Sequence, residues 1–122
     1  MFKNSLYFLL LSALMLILFQ SCNFKNSKKI QDPTKKYIKA LEYYELEKYA
    51  KTQILLEDVI LSLRMTNDGK DALYKYAYSY YYMKDYILAG YYFRKYVEDY
   101  PKGGNAEKAQ LMSARCYYLD AP

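Results

Sequence analysis

Residues 72–101 read ALYKYAYSYYYMKDYILAGYYFRKYVEDYP and carry the clearest helical pattern in the chain. Apolar or aromatic side chains recur at 73, 76, 77 and 80, and again at 86, 89, 93, 96 and 97, which is the spacing of one helix face. Pro101 cannot continue a helical hydrogen-bond ladder, and Lys84-Asp85 marks a turn between the two halves. The stretch therefore predicts two amphipathic helices joined by a tight turn. Small residues stand where such helices would approach closely, at Ala77, Ala89 and Gly90.

The same pattern occurs three times along the chain. The motif Ala-x-x-Tyr-Tyr begins at Ala40, Ala77 and Ala114, each 37 residues after the one before, and Leu56 and Phe93 are separated by the same interval. A single helix hairpin cannot bury its own apolar face, so neighbouring hairpins are expected. We therefore predict an all-α, helix-hairpin solenoid over residues 32–122, with two complete repeats and half of a third.

Local signals indicate where the helices begin and end. Asp32-Pro33 is typical of a helix start, and Asn105 is a suitable N-cap for a helix over residues 106–119. Residues 65–70 contain Asn67-Asp68-Gly69 and are predicted to form a loop. The second helix is expected to begin at Tyr49. Its predicted buried stripe consists of Ile54, Leu55, Val59, Ile60 and Leu63.

This arrangement resembles the tetratricopeptide repeat, a helix–turn–helix unit with ordered small and large residues and a closing proline. The matching positions are Leu73, Ala77, Tyr80, Ala89, Phe93 and Pro101. Tyr76 and Tyr96 depart from the pattern, and the interval of 37 residues is wider than the usual one of about 34. The resemblance implies a solenoid in which the first helix of each unit lines a concave groove.

The first 21 residues predict a secretory signal. Lys3 supplies a positive charge, and Leu6–Phe19 is an almost unbroken apolar run that is short for a membrane span. Ser21-Cys22, at the end of this run, resembles the lipobox of bacterial lipoproteins, in which the signal is cleaved before the cysteine and lipid is attached to it. We expect a signal peptide over residues 1–21 and lipidation of Cys22. A plain secretory signal or a signal anchor with an incidental cysteine is the alternative.

The positive charge of the chain is concentrated just after this signal. Residues 25–39 contain six lysines against Asp32 alone, whereas the chain from Ala40 onward has 11 basic and 12 acidic residues. Nucleic-acid binding requires a basic face on the folded part, so we do not expect it. Residues 22–31 are predicted to be a flexible tether. Its lysines either attract an anionic membrane surface or only keep the linker solvated.

The sequence offers no catalytic constellation and no metal-ligand set. It contains no histidine and two cysteines, and neither a nucleophile motif nor a phosphate-binding loop is present. Cys116 is interpreted as a small core residue, with a reactive free thiol as the alternative. We therefore expect no enzyme activity, and no cofactor apart from the covalent lipid on Cys22.

Tyrosine is the most informative residue type, since the chain contains 18 of them. With Ala77 and Tyr80 in the core, helical spacing places Tyr74, Tyr78 and Tyr81 on the opposite face of their helix. Aromatic faces and hydroxyl groups suit an extended, aromatic-bearing peptide. The alternative is that these rings only pack between neighbouring first helices. The predicted peptide-binding groove comprises Tyr37, Tyr44, Tyr74, Tyr78, Tyr81, Arg115 and Tyr118.

A lipobox, a basic tether and widely spaced tetratricopeptide units together resemble the BamD family, the outer-membrane lipoproteins of the β-barrel assembly machinery. The stretches that carry the resemblance are residues 40–44, 48–49, 85–101 and 116–122. It implies lipid anchoring at the periplasmic face of the outer membrane. It also implies that unfolded outer-membrane proteins are clients and that the barrel subunit of the machinery is a partner of the C-terminal repeats. The family has about five repeats, so we expect the chain to be the N-terminal part of a longer protein.

Two other functions fit the same features. The first is a structural tetratricopeptide scaffold of another cell-envelope complex, of the pilotin or envelope-coordinator type. The second is a ligand-capturing lipoprotein, for example in glycan uptake. Carbohydrate capture usually uses tryptophan, and the chain contains none.

Overall fold

The structure is a computed structural model that describes residues 2–122, except for the side chains of residues 16–26 and 28. The chain divides into two compact units, Met1–Ile30 and Gln31–Pro122. Every regular element in the described part is an α-helix. The prediction of an all-α fold built from helix hairpins is confirmed.

The first unit consists of one helix, α1 (Phe2–Lys28). The helix continues through residues 22–28, a segment that we expected to be a flexible tether. The side chain of Cys22, the predicted lipidation site, lies outside the described residues. Among the described residues, no helix is both long and apolar enough to cross a membrane.

The second unit contains five helices that pack in chain order, each against the next. They are α2 (Pro33–Glu45), α3 (Tyr49–Ser62), α4 (Asn67–Tyr82), α5 (Tyr86–Asp99) and α6 (Ala106–Asp120). α2 with α3 and α4 with α5 form hairpins. Their tight turns contain the described non-glycine residues with positive φ, Glu47 at 57° and Lys84 at 62°. These positions are 37 residues apart, so the repeat extends to the backbone conformation of the turns.

The start of α4 differs from the prediction, because Asn67-Asp68-Gly69 forms its first turn and not a loop. The Thr66 hydroxyl caps this helix by accepting a hydrogen bond from the Gly69 amide at 3.1 Å. Gly69 also lies against the preceding backbone, where an added Cβ would come within 1.9 Å of the Leu63 carbonyl oxygen. The glycine therefore permits the close connection between α3 and α4. The local sequence Asn67-Asp68-Gly69 is equally typical of a turn, so it did not predict the start of a helix.

The other helix starts follow local signals to different degrees. Asp32 caps α2 as predicted, because its carboxylate accepts the amides of Thr34 and Lys35 at 2.9 and 3.1 Å. Asn105 occupies the N-cap position of α6, but its side chain makes no capping hydrogen bond.

The buried stripe of α3 agrees with the prediction only in part, and Ile60 and Leu63 are half-buried. Ile54 is 43% exposed, whereas Leu55 and Val59 are buried as expected. Thr52 and Leu56 are also buried, so the stripe runs 52, 55, 56 and 59. Thr52 can be buried because its hydroxyl donates a hydrogen bond to the Lys48 carbonyl at 3.0 Å.

One core joins α4, α5 and α6. Phe93 is fully buried at its centre. Cys116 of α6 is also fully buried there, which agrees with its interpretation as a core residue, and this burial raises the pKa of its thiol. The other buried members are Leu73, Ala77, Ala89, Tyr96, Ala109 and Met112. The third repeat is therefore attached to the second through a shared apolar interior.

Candidate functional site

Five tyrosines of the second unit form a continuous row of neighbouring rings, which we call the tyrosine ladder. Its members in spatial order are Tyr44, Tyr49, Tyr82, Tyr78 and Tyr81. The first belongs to α2, the second to α3, and the other three to α4. The ladder therefore crosses from the first hairpin to the second.

Each ring of the ladder contacts the next. Ring centroids are 5.6 Å apart for Tyr44 and Tyr49, and 4.9 Å apart for Tyr49 and Tyr82. They are 5.6 Å apart for Tyr82 and Tyr78, and 6.2 Å apart for Tyr78 and Tyr81. The two inner pairs are stacked and the two outer pairs meet edge to face, which are the preferred aromatic geometries. The stacked pair of Tyr49 and Tyr82 joins the hairpins.

Local structure explains this alignment. The tight turn at Glu47 places Tyr49, at the start of α3, beside Tyr44 near the end of α2. Tyr78 and Tyr82 are four residues apart on α4 and so lie on one face of the helix. Tyr82 is 49% exposed, while the other rings of the ladder are half-buried. The row thus presents ring edges and faces to solvent while its interior sides are packed.

Cations lie over the rings at both ends of the ladder. The Lys75 Nζ is 5.7 Å from the centroid of Tyr44. On the α6 side, the Lys108 Nζ is 6.0 Å from the centroid of Tyr78, and the Arg115 guanidinium is 5.9 Å from that of Tyr81. Cation–π attraction holds such groups over aromatic faces.

These cations differ in their acidic partners. Lys75 forms an ion pair with Asp71 at 2.7 Å. None of the ion pairs among the described residues includes Lys108 or Arg115. The α6 end of the ladder therefore carries two positive charges that a ligand carboxylate could neutralise.

At the α2 and α3 end of the ladder, the folded structure disfavours ionisation of Tyr44 and Tyr49. Burial raises the pKa of Tyr44, with further increases from the neighbouring Tyr82 and Tyr49. Burial likewise raises the pKa of Tyr49. The surface therefore offers apolar ring area, phenol hydroxyl groups and the two cations of α6.

Of two further predicted groove residues, Tyr37 is buried and Tyr74 is half-buried. Tyr37 is 8% exposed, and its hydroxyl donates a hydrogen bond to the Asp71 carboxylate of α4. Tyr74 packs against Phe93 and Tyr96, with ring centroids 6.1 and 5.4 Å apart. Tyr37 thus lies between the first helices α2 and α4, as in the alternative that the sequence left open, whereas Tyr74 packs against α5 of its own hairpin.

The remaining predicted groove residues are half-buried or exposed, and the structure places further residues beside them. Tyr44, Tyr78, Tyr81 and Arg115 are brought together in or beside the ladder, and Tyr118 is 81% exposed on α6. Sequence reasoning missed Tyr49, Tyr82 and Lys108. Spacing signals were present, since Tyr82 follows Tyr78 by four residues and Lys108 precedes Arg115 by seven. Both intervals keep residues on one helix face.

A surface depression of about 340 Å³ lies beside Tyr49. Tyr49, Ala50 and Met83 contribute apolar surface, and Lys48 and Lys51 lie at its edge. The depression extends the apolar area at the α3 end of the ladder. It is large enough to receive a side chain of a bound peptide.

No protein-family model matches this chain, and a search of curated proteins returned no significant match. Within the described residues, no group of three or more histidine, cysteine, aspartate or glutamate side chains could hold a metal ion.

Proposed function

We propose that this protein is a lipid-anchored adaptor of the outer membrane that takes part in the assembly and insertion of β-barrel proteins. In this proposal the tyrosine ladder holds extended segments of unfolded outer-membrane proteins. The barrel subunit of the assembly machinery is a further partner. The identity of the client and of the machinery derives from the resemblance of the chain to the BamD family.

The observation that supports peptide binding is the ladder together with its two cations. Five contacting rings cross two hairpins, and Lys108 and Arg115 stand at one end without an ion pair among the described residues. Strands of β-barrel proteins alternate aromatic and polar side chains and often end in an aromatic residue with a free carboxylate. Ring faces can receive the aromatic side chains, and Arg115 can bind the carboxylate through two parallel hydrogen bonds.

A client that must be released needs modest affinity. We therefore expect dissociation constants in the micromolar range, which corresponds to about −8 kcal/mol.

Site-specific photocrosslinking tests the proposed surface. Tyr82 of the ladder and Tyr91 of α5 are matched positions, because both are tyrosines and they are 49% and 46% exposed. A photoreactive phenylalanine analogue replaces one or the other, and the probe is a peptide with the C-terminal strand of an outer-membrane β-barrel protein. We expect strong crosslinking from position 82 and little from position 91. Equal yields, or crosslinking from position 91 alone, would contradict the proposal.

The cationic end can be tested with the same peptide. Arg115→Glu is expected to reduce binding of the peptide with a free C-terminal carboxylate and to have a smaller effect on its amidated form. An equal loss for both forms would remove the assigned role of Arg115.

Anchoring at Cys22 is a separate part of the proposal, supported by the apolar run that ends at Ser21-Cys22. Cys22→Ala is expected to abolish labelling by a fatty-acid probe and to release the protein from the membrane fraction. Cys116→Ala is the matched control, because the other cysteine of the chain lies in the core. Labelling that persists in Cys22→Ala would exclude this anchor.

A structural scaffold of another envelope complex is the second candidate. It is favoured by Tyr37, which is buried between α2 and α4 and does not line an open surface. A scaffold does not require a client on the ladder, so the crosslinking experiment distinguishes the two functions.

A further inference from the structure

Met83 is a methionine at the edge of the tyrosine ladder. It follows Tyr82 at the C-cap of α4, and it lines the depression of about 340 Å³ beside Tyr49. Its side chain is 50% exposed. The side chain is therefore open to solvent and to any ligand that enters the depression.

The sulfur of Met83 takes part in a hydrogen bond. The side-chain Nε2 of Gln53, on α3, donates to the Met83 Sδ, and the two atoms are 3.4 Å apart. A thioether sulfur is a weak acceptor, whereas oxidation to a sulfoxide makes the side chain polar and gives it an acceptor oxygen. The Gln53 amide therefore lies where it can donate to the oxygen of an oxidised Met83.

The repeat shows that the hairpin turn does not require methionine at this position. The equivalent position in the first hairpin, 37 residues earlier, is Leu46, which is the C-cap of α2 and is 62% exposed. Leucine and methionine are both apolar and of similar volume, but only methionine carries an oxidisable sulfur. Met83 thus adds a chemical reactivity that the equivalent turn lacks.

We propose that Met83 is a modification site through which a hydroperoxide weakens peptide binding at the tyrosine ladder, a change that we call the Met83 switch. The inference rests on the proposed function, since it concerns the same binding surface. A lone pair of the Met83 sulfur attacks the terminal peroxide oxygen, so that an S–O bond forms and the O–O bond breaks. Sulfur loses two electrons, and the leaving oxygen takes the proton of the transferred one and departs as water or an alcohol. Methionine sulfoxide reductases convert the product back, which makes the change reversible.

Oxidation changes the wall of the depression from apolar to polar. An apolar side chain of a bound segment would cover the sulfoxide oxygen and remove it from water, which is unfavourable. One hydrogen bond from Gln53 satisfies only part of the accepting capacity of that oxygen. We therefore expect the affinity for the peptide to fall about tenfold, as expected when a polar group is buried with incomplete pairing.

Peroxide treatment of the full chain tests the Met83 switch. The protein, in non-ionic detergent, is treated with dilute hydrogen peroxide and freed of it, and mass spectrometry measures the sulfoxide fraction at each methionine. Fluorescence anisotropy then measures the affinity for a labelled peptide with the C-terminal strand of an outer-membrane β-barrel protein, chosen without methionine or cysteine. We expect a loss of affinity that follows the oxidised fraction at Met83. Treatment with a methionine sulfoxide reductase should restore the affinity.

Two variants locate the effect. Met83→Leu introduces the residue that stands at the equivalent position in the first hairpin, and its affinity for the peptide should not change on peroxide treatment. Met65→Leu is the matched control, because Met65 is 93% exposed in the connection between α3 and α4 and does not line the depression. This variant should lose affinity on peroxide treatment as the unsubstituted protein does.

The outcomes separate this inference from the proposed function. If the untreated protein does not bind the peptide, the proposed function fails, and the Met83 switch fails with it. If the untreated protein binds the peptide and full oxidation of Met83 leaves the affinity unchanged, only the Met83 switch is overturned. A loss of affinity that persists in peroxide-treated Met83→Leu would also overturn it, since another oxidised residue would then be responsible.

Discussion

At the residue scale, Tyr37 and Tyr76 are buried, and Tyr44 is half-buried. Burial is the main cause that raises the pKa of each. Hydrogen bonds add to the effect, from Tyr37 to Asp71 and between the hydroxyls of Tyr76 and Tyr80 at 3.2 Å. The folded chain therefore disfavours tyrosinate at several positions.

This effect predicts loss of stability at alkaline pH. A phenol becomes charged when it loses its proton, and an unfolded tyrosine does so near pH 10. Because the folded pKa of these phenols is higher, their contribution to stability should be constant below about pH 10 and fall above it. Above pH 10, each such tyrosine lowers the free energy of unfolding by up to about 1.4 kcal/mol per pH unit. Thermal unfolding followed by circular dichroism over this pH range measures the slope.

Removing one of these phenols should reduce the alkaline slope. Tyr76→Phe is the test, because Tyr76 is 5% exposed, and Tyr118→Phe, at an 81% exposed position, is the control. If all tyrosines ionise together near pH 10 while the helical spectrum persists, the burial argument is wrong.

At the element scale, α5 and α6 approach each other closely at Gly90. A Cβ on Gly90 would lie 3.1 Å from the Cβ of Cys116, and the Ser113 hydroxyl donates a hydrogen bond to the Gly90 carbonyl at 3.0 Å. The sequence placed this glycine at the contact of α4 with α5. In the structure, Ala89 belongs to the core that contains Ala77, whereas Gly90 faces the third repeat.

Gly90→Leu is therefore expected to separate α5 from α6. The new side chain would be forced against Cys116 and the α6 backbone, and overpacking of this kind costs about 1–3 kcal/mol. For a unit of this size, each kcal/mol of lost stability lowers Tm by roughly 4–8 °C. Thermal unfolding measures the change.

Gly104→Leu is the matched control, since a Cβ at Gly104 meets no heavy atom within 4 Å. It should leave Tm nearly unchanged. If Gly90→Leu melts at the same temperature as Gly104→Leu, the close approach of α5 and α6 is not important for stability.

At the scale of the whole molecule, the second unit is a solenoid in which every helix packs against its neighbours in the chain. Such proteins derive their stability from the repeats themselves and from the interfaces between neighbours. The tyrosine ladder results from this architecture, because it joins rings of successive hairpins.

The sequence by itself determined the all-helical class, most helix boundaries of the second unit and the interval of 37 residues. These features depend on side-chain periodicity, helix capping and turn conformation, which involve residues close together in the chain. It also placed Tyr78, Tyr81 and Arg115 on faces that the structure brings together.

Only the tertiary structure decided which tyrosines remain accessible. Tyr37 is buried where α2 meets α4, and its hydroxyl donates a hydrogen bond to Asp71, 34 residues away. Tyr49 joins the ladder because it stacks on Tyr82 of the next hairpin. Helical spacing assigns a side chain to a face, but whether that face is open depends on how closely distant segments approach, and no local pattern encodes that distance.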